Sequence, residues 1–167
     1  MIELYAIRRE GNGLAPVVGP VADDGEVTPQ SLWRHEEVVE ELMAQGDVLP
    51  VRYGTRFADE REATEAIAER RASLLAALDH VSGAVELSVR ALSADAEAIR
   101  AALAPLARDS AEREPKQEGE VLRAAYLVDR DGVERFVARV AQLQSDQPGA
   151  QILCTGPWPP YSFSERS

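Results

Sequence analysis

The segment Arg52-Tyr53-Gly54-Thr55-Arg56 sets two guanidinium groups on either side of a Tyr-Gly pair. A guanidinium presents a planar fork of N–H donors that matches a carboxylate or phosphate, so the chemistry on offer is anion binding. With 29 Asp and Glu against 18 Lys and Arg, internal ion pairing accounts for the same residues. His35-Glu-Glu-Val-Val39 begins like a zinc-protease helix. Such a helix needs a second histidine four residues on, to put two ligands on one face, and Val39 stands there instead. His35 is therefore read as a helix-surface residue, and His80 as a cation near a helix end. Two separated histidines and one cysteine do not space a metal site.

Gly11-Asn-Gly13 has Pro16 where a dinucleotide fingerprint needs its third glycine. Asp129-Arg-Asp131-Gly132 lacks the remaining acids of a calcium loop, and helix capping explains it better. Cys154 sits between apolar strand residues with no cationic neighbour to generate a thiolate, so it is read as structural. No catalytic residue, cofactor site or metal site emerges from these patterns.

The remaining chemistry is apolar. Gly156-Pro-Trp-Pro-Pro-Tyr-Ser-Phe163 packs three aromatics, Trp158, Tyr161 and Phe163, among three prolines. Proline fixes φ and donates nothing to a ladder, so the strand that precedes it should stop near Gly156 and the chain should continue extended. The aromatics then either seal the core beneath the last strand or offer an apolar rim to a partner. The candidate contact residues are thus Arg52, Tyr53, Arg56, Trp158, Tyr161 and Phe163.

Elements that position these residues follow from periodicity. Residues 2–8 form a strand apolar on both sides, and 14–21, broken by Pro16, Gly19 and Pro20, an irregular edge strand. Thr28-Pro29 opens a helix as N-cap and N1, with Leu32, Val39, Leu42 and Met43 on one face and Gly46 at its end. Residues 48–53 make a strand bent at Pro50. Asp59 to His80 predicts the longest helix, with Ile67, Leu74, Leu75, Leu78 and Val81 as its stripe. Val85, Leu87 and Val89 alternate with Glu86, Ser88 and Arg90, a half-wet strand. Ser93 caps a helix carrying Ile99, Leu103 and Leu106. Residues 108–120 read as a mobile surface loop and 121–128 as a strand. Asp131 and Glu134 suggest a capping box for a helix with Val133, Phe136, Val137, Val140 and Leu143 inward.

A strand with one wet face argues against a doubly covered parallel sheet. The fold class is α+β in two lobes. Residues 1–83 form a small N-terminal α+β lobe that includes the long helix. Residues 84–167 form a ferredoxin-like C-terminal lobe carrying the aromatic-proline tail.

Composition excludes several function classes. A net charge of −11 without a basic block disfavours nucleic acid and anionic lipid. No stretch reaches the roughly 20 apolar residues of a membrane helix, so no membrane insertion is expected. The opening residues lack a signal-peptide pattern, and a single cysteine suits a reducing cytoplasm.

Two stretches carry a family resemblance. Leu49-Pro-Val-Arg-Tyr-Gly-Thr-Arg-Phe57, preceded by His35-Glu-Glu-Val-Val39, resembles the Leu-Pro-x-x-[Phe/Tyr]-Gly segment of the gas vesicle protein F/L family. Gly156-Pro-Trp-Pro-Pro-Tyr-Ser-Phe163 is similar to that family's C-terminal signature, and Val81 to Val89 and Ala125-Tyr-Leu127 fit its pattern. The resemblance spans roughly residues 32–163, and the family's N-terminal lobe is expected to be longer than the one here. It implies a two-lobed, non-enzymatic accessory component of gas vesicles, located at the vesicle in the cytoplasm. Such a protein would bind the hydrophobic shell protein and other gas vesicle accessory proteins, limit shell aggregation and assist nucleation. The rival reading is a ferredoxin-like ligand-binding or enzymatic domain with Arg52, Tyr53 and Arg56 around a cleft. A third is a scaffold unrelated to vesicles.

Overall fold

The computed structural model describes residues 1–21 and 25–165. They divide into two compact units. The first is Met1–Ser82 joined by the tail from Pro159 onward, and the second is Gly83–Trp158.

In the first unit, β1 (Ile2–Glu10) is the central strand of a small antiparallel sheet. On one side it pairs with β2 (Gly13–Pro20), which tolerates Pro16 and Pro20 because it is an edge. On the other side lie β3 (Val48–Pro50) and β4 (Arg56–Phe57), both antiparallel to β1. Backbone bonds from Val51 N to Tyr5 O (3.0 Å) and from Leu4 N to Thr55 O (2.9 Å) continue the same pairing between them. Residues 48–57 are therefore one interrupted strand that bows out at Arg52–Thr55.

Helix α1 (Pro29–Gln45) starts as its sequence predicts. Thr28 Oγ1 accepts from Ser31 N at 3.0 Å, and Ser31 Oγ accepts from Thr28 N at 2.9 Å. Its buried line is Ser31, His35 and Val39 rather than the expected Leu32, Val39, Leu42 and Met43. Leu32 is exposed, and the i, i+4, i+8 row one residue earlier takes the inner position because its polar members find partners there.

The predicted long helix is two: α2 (Glu60–Glu69) and α3 (Arg71–Val81), broken at Arg70. Arg70 has φ −111° and ψ 19°, outside the helical well. The break lets Ala63 and Ile67 from one helix, and Leu74, Ala77, Leu78 and Val81 from the other, be buried together.

The second unit runs β5 (Ala84–Leu92), α4 (Ala96–Leu103), β6 (Asp109–Glu112), β7 (Glu120–Asp129), α5 (Val133–Asp146) and β8 (Gln151–Trp158). The sheet order is β6-β7-β5-β8, all pairs antiparallel. That is the split βαβ arrangement of ferredoxin-like folds. Its core joins Leu87, Val89 and Ala91 to Ile99 and Leu103 of α4 and Phe136, Val140 and Leu143 of α5. Tyr126 and Phe136 pack within it, ring centroids 5.3 Å apart and tilted by 55°.

Several sequence expectations change here. Residues 109–112 are not loop but the strand β6, because backbone pairing with β7 supplies what their polar side chains cannot. Asp95, not Ser93, caps α4, its carboxylate accepting from Ala98 N at 3.1 Å; Ser93 takes φ 51° in the preceding turn. Asp131 makes no capping box: residues 130–132 form a 3-10 turn and Gly132 is the N-cap of α5. Glu86 is buried, because β5 is a central strand and β8 crosses close beside it. Glu120 is buried too. Its carboxylate takes two bonds from Arg123 (2.6 and 3.0 Å) and faces Arg90 at 3.5 Å. The Arg123 bonds hold it below the usual carboxylate range.

The tail departs most. Strand β8 continues through Gly156-Pro157 to Trp158, where Trp158 pairs with Glu86. An edge strand pairs on one side only, so a proline whose nitrogen faces outward breaks no ladder bond. Gly156, at φ 117°, is required there, since a Cβ would lie 2.8 Å from Glu86 O. After Trp158 the chain is not extended. It forms a 3-10 turn, Tyr161–Phe163, and belongs to the first unit rather than to residues 84–167 where the sequence placed it.

Candidate functional site

The bowed segment Arg52–Thr55 is the feature around which the polar side chains of the first unit gather. It is a tight turn, with Thr55 N donating to Arg52 O at 3.4 Å and Thr55 Oγ1 to the same carbonyl at 3.0 Å. Gly54 sits third at φ 90°, the left-handed position such a turn demands.

Helix α1 clamps this turn from below. His35, only 1% exposed, sends Nε2 to Val51 O at 2.7 Å and Nδ1 to Glu3 Oε1 at 2.7 Å. A carbonyl only accepts, so Nε2 donates to Val51 O, and the Nδ1 contact ties the ring to the Glu3 carboxyl. Tyr53 Oη donates to Ser31 Oγ at 2.8 Å. The His35 ring is held between Tyr5 (5.0 Å between centroids) and Tyr53 (5.6 Å, edge-on). Burial, then the nearby Glu3, pushes the Tyr5 hydroxyl pKa up.

His35 is thus not a surface histidine, as its neighbours in sequence suggested. The signal that could have found it is Glu3, a carboxylate inside an apolar strand, since a buried acid needs a buried donor.

Of the predicted contact residues, the structure brings Tyr53 into this network and leaves Arg52 exposed on the turn. Arg56 is drawn elsewhere, its guanidinium donating to Gly25 O at 3.2 Å. Among the described residues neither arginine makes an ion pair, so the internal pairing expected for them is not seen. The cavity beside the turn, about 160 Å³, is lined by Leu4, Leu49, Ile67, Arg70 and Leu74 among others, and by neither Arg52 nor Arg56. Among the described residues no three or more His, Cys, Asp or Glu side chains gather as metal ligands would. Cys154 is half-buried, and burial raises its thiol pKa, away from a reactive thiolate.

The tail aromatics separate. Trp158 remains 43% exposed at the end of β8. Phe163 is fully buried, Pro159 and Pro160 are buried, and the 3-10 turn packs on α3. Tyr161 is intermediate. Its hydroxyl is enclosed without a well-formed hydrogen bond, and burial together with the Glu36 and Glu40 carboxylates raises its pKa far above normal. A tyrosine pKa raised on folding gives stability that is complete below the unfolded value of about 10 and is lost as pH rises beyond it. Tyr161→Phe is therefore expected to leave stability at neutral pH unchanged or raised, and to flatten its fall above about pH 10. Urea titrations at pH 7 and pH 10.5 check both halves.

A family model described as "Gas vesicle synthesis protein GvpL/GvpF" matches residues 3–97 and 91–165. The chain belongs to this family. Among curated members it is 27% identical over 164 residues to gas vesicle protein F2 of Halobacterium salinarum, covering 90% of this chain and 76% of that one. It is 26% identical over 202 residues to gas vesicle protein F of a Streptomyces species, covering 91% and 84%. Solved GvpF structures share the fold. The protein from Anabaena sp. PCC7120 superposes with a TM-score of 0.86 at 18% identity, over 99% of this chain and 96% of that one. The one from Microcystis aeruginosa gives 0.79 at 17%, over 99% of both. The mixed helix-and-sheet class expected for a GvpL/GvpF protein holds throughout, with two antiparallel sheets. Among the described residues no helix is long and apolar enough to cross a membrane.

Proposed function

We propose that this protein is an accessory component of gas vesicles that binds the hydrophobic shell protein, limits its aggregation and assists nucleation and assembly of the vesicle. Family membership, by a match that runs from residue 3 to residue 165, carries the reading. Physical chemistry supports it. A partner for an aggregation-prone subunit needs apolar contact points on a body that stays dispersed, and burial of those points drives association. This chain has a net charge of −11 and exposed tryptophans at positions 33 and 158. Of the contact residues expected from sequence, Arg52 and Trp158 retain the exposure a partner contact requires. Tyr53, Arg56, Tyr161 and Phe163 support the fold around them.

Co-expression with the shell protein of the same vesicle system tests this. Tagged chain is expected to retain the shell protein on affinity resin and raise its share in the supernatant. Trp158→Ala is expected to weaken capture by about tenfold while leaving folding within about 0.5 kcal/mol of the parent. A folded chain that captures no shell protein and leaves its aggregation unchanged overturns the reading.

A further inference from the structure

Helix α1 turns Ser31, His35 and Val39 inward and leaves an unusual face outward. Trp33 is 73% exposed near the middle of that face, with Leu32 at 42% beside it and Val27 at 74% just before the helix. From Trp33 the face continues through Glu37 at i+4 and Glu40 at i+7, flanked by Glu36 and Glu41. Among the described residues none of these four carboxylates is in an ion pair, and Arg34 is the one cation between Trp33 and the helix end. Glu36 and Glu40 also face the buried Tyr161 hydroxyl, so the tail borders the surface.

The charges are placed against the helix's own interest. Glu36 with Glu40, and Glu37 with Glu41, are like charges at i, i+4, which repel. The first turn holds no acid and the last turn no base, so the carboxylates sit toward the negative end of the macrodipole. An exposed tryptophan adds an uncovered apolar anchor of the type that dominates protein interfaces. Both features are relieved by one kind of occupant.

We propose that the outer face of α1 docks a cationic amphipathic helix of a partner protein. An apolar side chain of that helix covers Trp33, and lysines or arginines on its next two turns meet Glu37, Glu40 and Glu41. Trp33 to Glu41 covers about 12 Å of axis at 1.5 Å per residue, so two to three turns of the occupant suffice. The inference rests on the accessory-protein reading only in taking the occupant to be a protein.

The test uses the full chain with Trp158→Phe, which leaves Trp33 as the single tryptophan. The probes are two synthetic helical peptides with the same leucine face, one with lysine and one with glutamate at the flanking positions. The lysine peptide is expected to shift Trp33 emission to the blue and to bind at least tenfold tighter than the glutamate peptide. Raised salt should weaken it. Trp33→Ala, followed by peptide fluorescence, is expected to cost about tenfold or more in affinity. Glu37→Gln with Glu41→Gln should weaken binding severalfold. Glu60→Gln with Glu69→Gln on α2 makes the same change in net charge and should not.

Equal effects of the two Gln pairs would mean attraction to overall charge and would overturn the proposal. So would equal binding of the two peptides, or a Trp33-dependent dimer of the chain alone, which would assign the face to a second copy. Peptide binding at α1 without capture of the shell protein would retain this surface and sink the vesicle-shell reading instead.

Discussion

His35→Ala is expected to lower the stability of the first unit by about 2–5 kcal/mol, since two buried acceptors lose their hydrogen-bond partner at roughly 1–3 kcal/mol each. The size follows from what the ring does. It joins three elements that are apart in sequence: Glu3 on β1, its own helix α1, and Val51 O at the entry to the Arg52–Thr55 turn. Removal leaves a carboxylate and a backbone carbonyl buried without their donor, and each then bears its desolvation cost. It also removes the ring against which Tyr5 and Tyr53 pack. Glu3→Gln is the informative companion, because an amide retains the shape and a hydrogen bond to Nδ1 while replacing the carboxyl group. It should cost less than the alanine change. Chemical denaturation of the two single variants and the double variant measures the coupling. A loss under 1 kcal/mol for His35→Ala would mean that water replaces the ring at both contacts.

Phe163→Ala is expected to cost a similar amount, about 3–5 kcal/mol, as a large apolar side chain leaves a closed site. The loss should be local. Phe163 follows the last strand of the second unit in sequence but is buried with the first. Hydrogen exchange should therefore quicken in β1, β3 and α3 and change little in β5 and β7. Truncation after Trp158 should do the same more strongly. It also uncovers the cavity over which Ser164 and Glu165 lie, lined by Leu4, Leu49 and Leu74. Faster exchange spread evenly over both units would show that the tail does not belong to the first alone.

Much of the architecture was legible because it depends on local pattern. Thr28-Pro29 announces the start of α1, and both halves of its cap form as read. Alternation in residues 84–92 and the Phe136, Val140 and Leu143 row of α5 give an α+β unit of ferredoxin-like type, though Val137, expected in that row, is 46% exposed. What failed did so for nameable reasons. The break at Arg70 carries no glycine or proline, so nothing local marks it; the helix bends because two apolar rows must be buried together. Strand β6 has the sequence Asp-Ser-Ala-Glu, which reads as loop until β7 lies beside it and accepts its backbone pairing.

The contact residues divide along the same line. Trp33 drew no reading from the sequence, because a lone tryptophan on a helix makes no motif; the fold leaves it 73% exposed while His35 turns inward.

The aromatic-proline tail identifies the family from its residues alone, since composition and order survive without coordinates. So do the acidic balance and the absence of metal or dinucleotide spacing. Tertiary structure alone decided where each aromatic goes. Phe163 is buried, Trp158 stays open to solvent, and Tyr161 faces Glu36 and Glu40 across more than a hundred residues of chain. It also made His35 a buried clamp. The physical reason is one of range. Caps, turns and periodicity act over a few residues and are written in adjacent letters. The burial of a polar group, or of a tail aromatic, depends on partners that sequence separation hides and only folding brings within 3–5 Å.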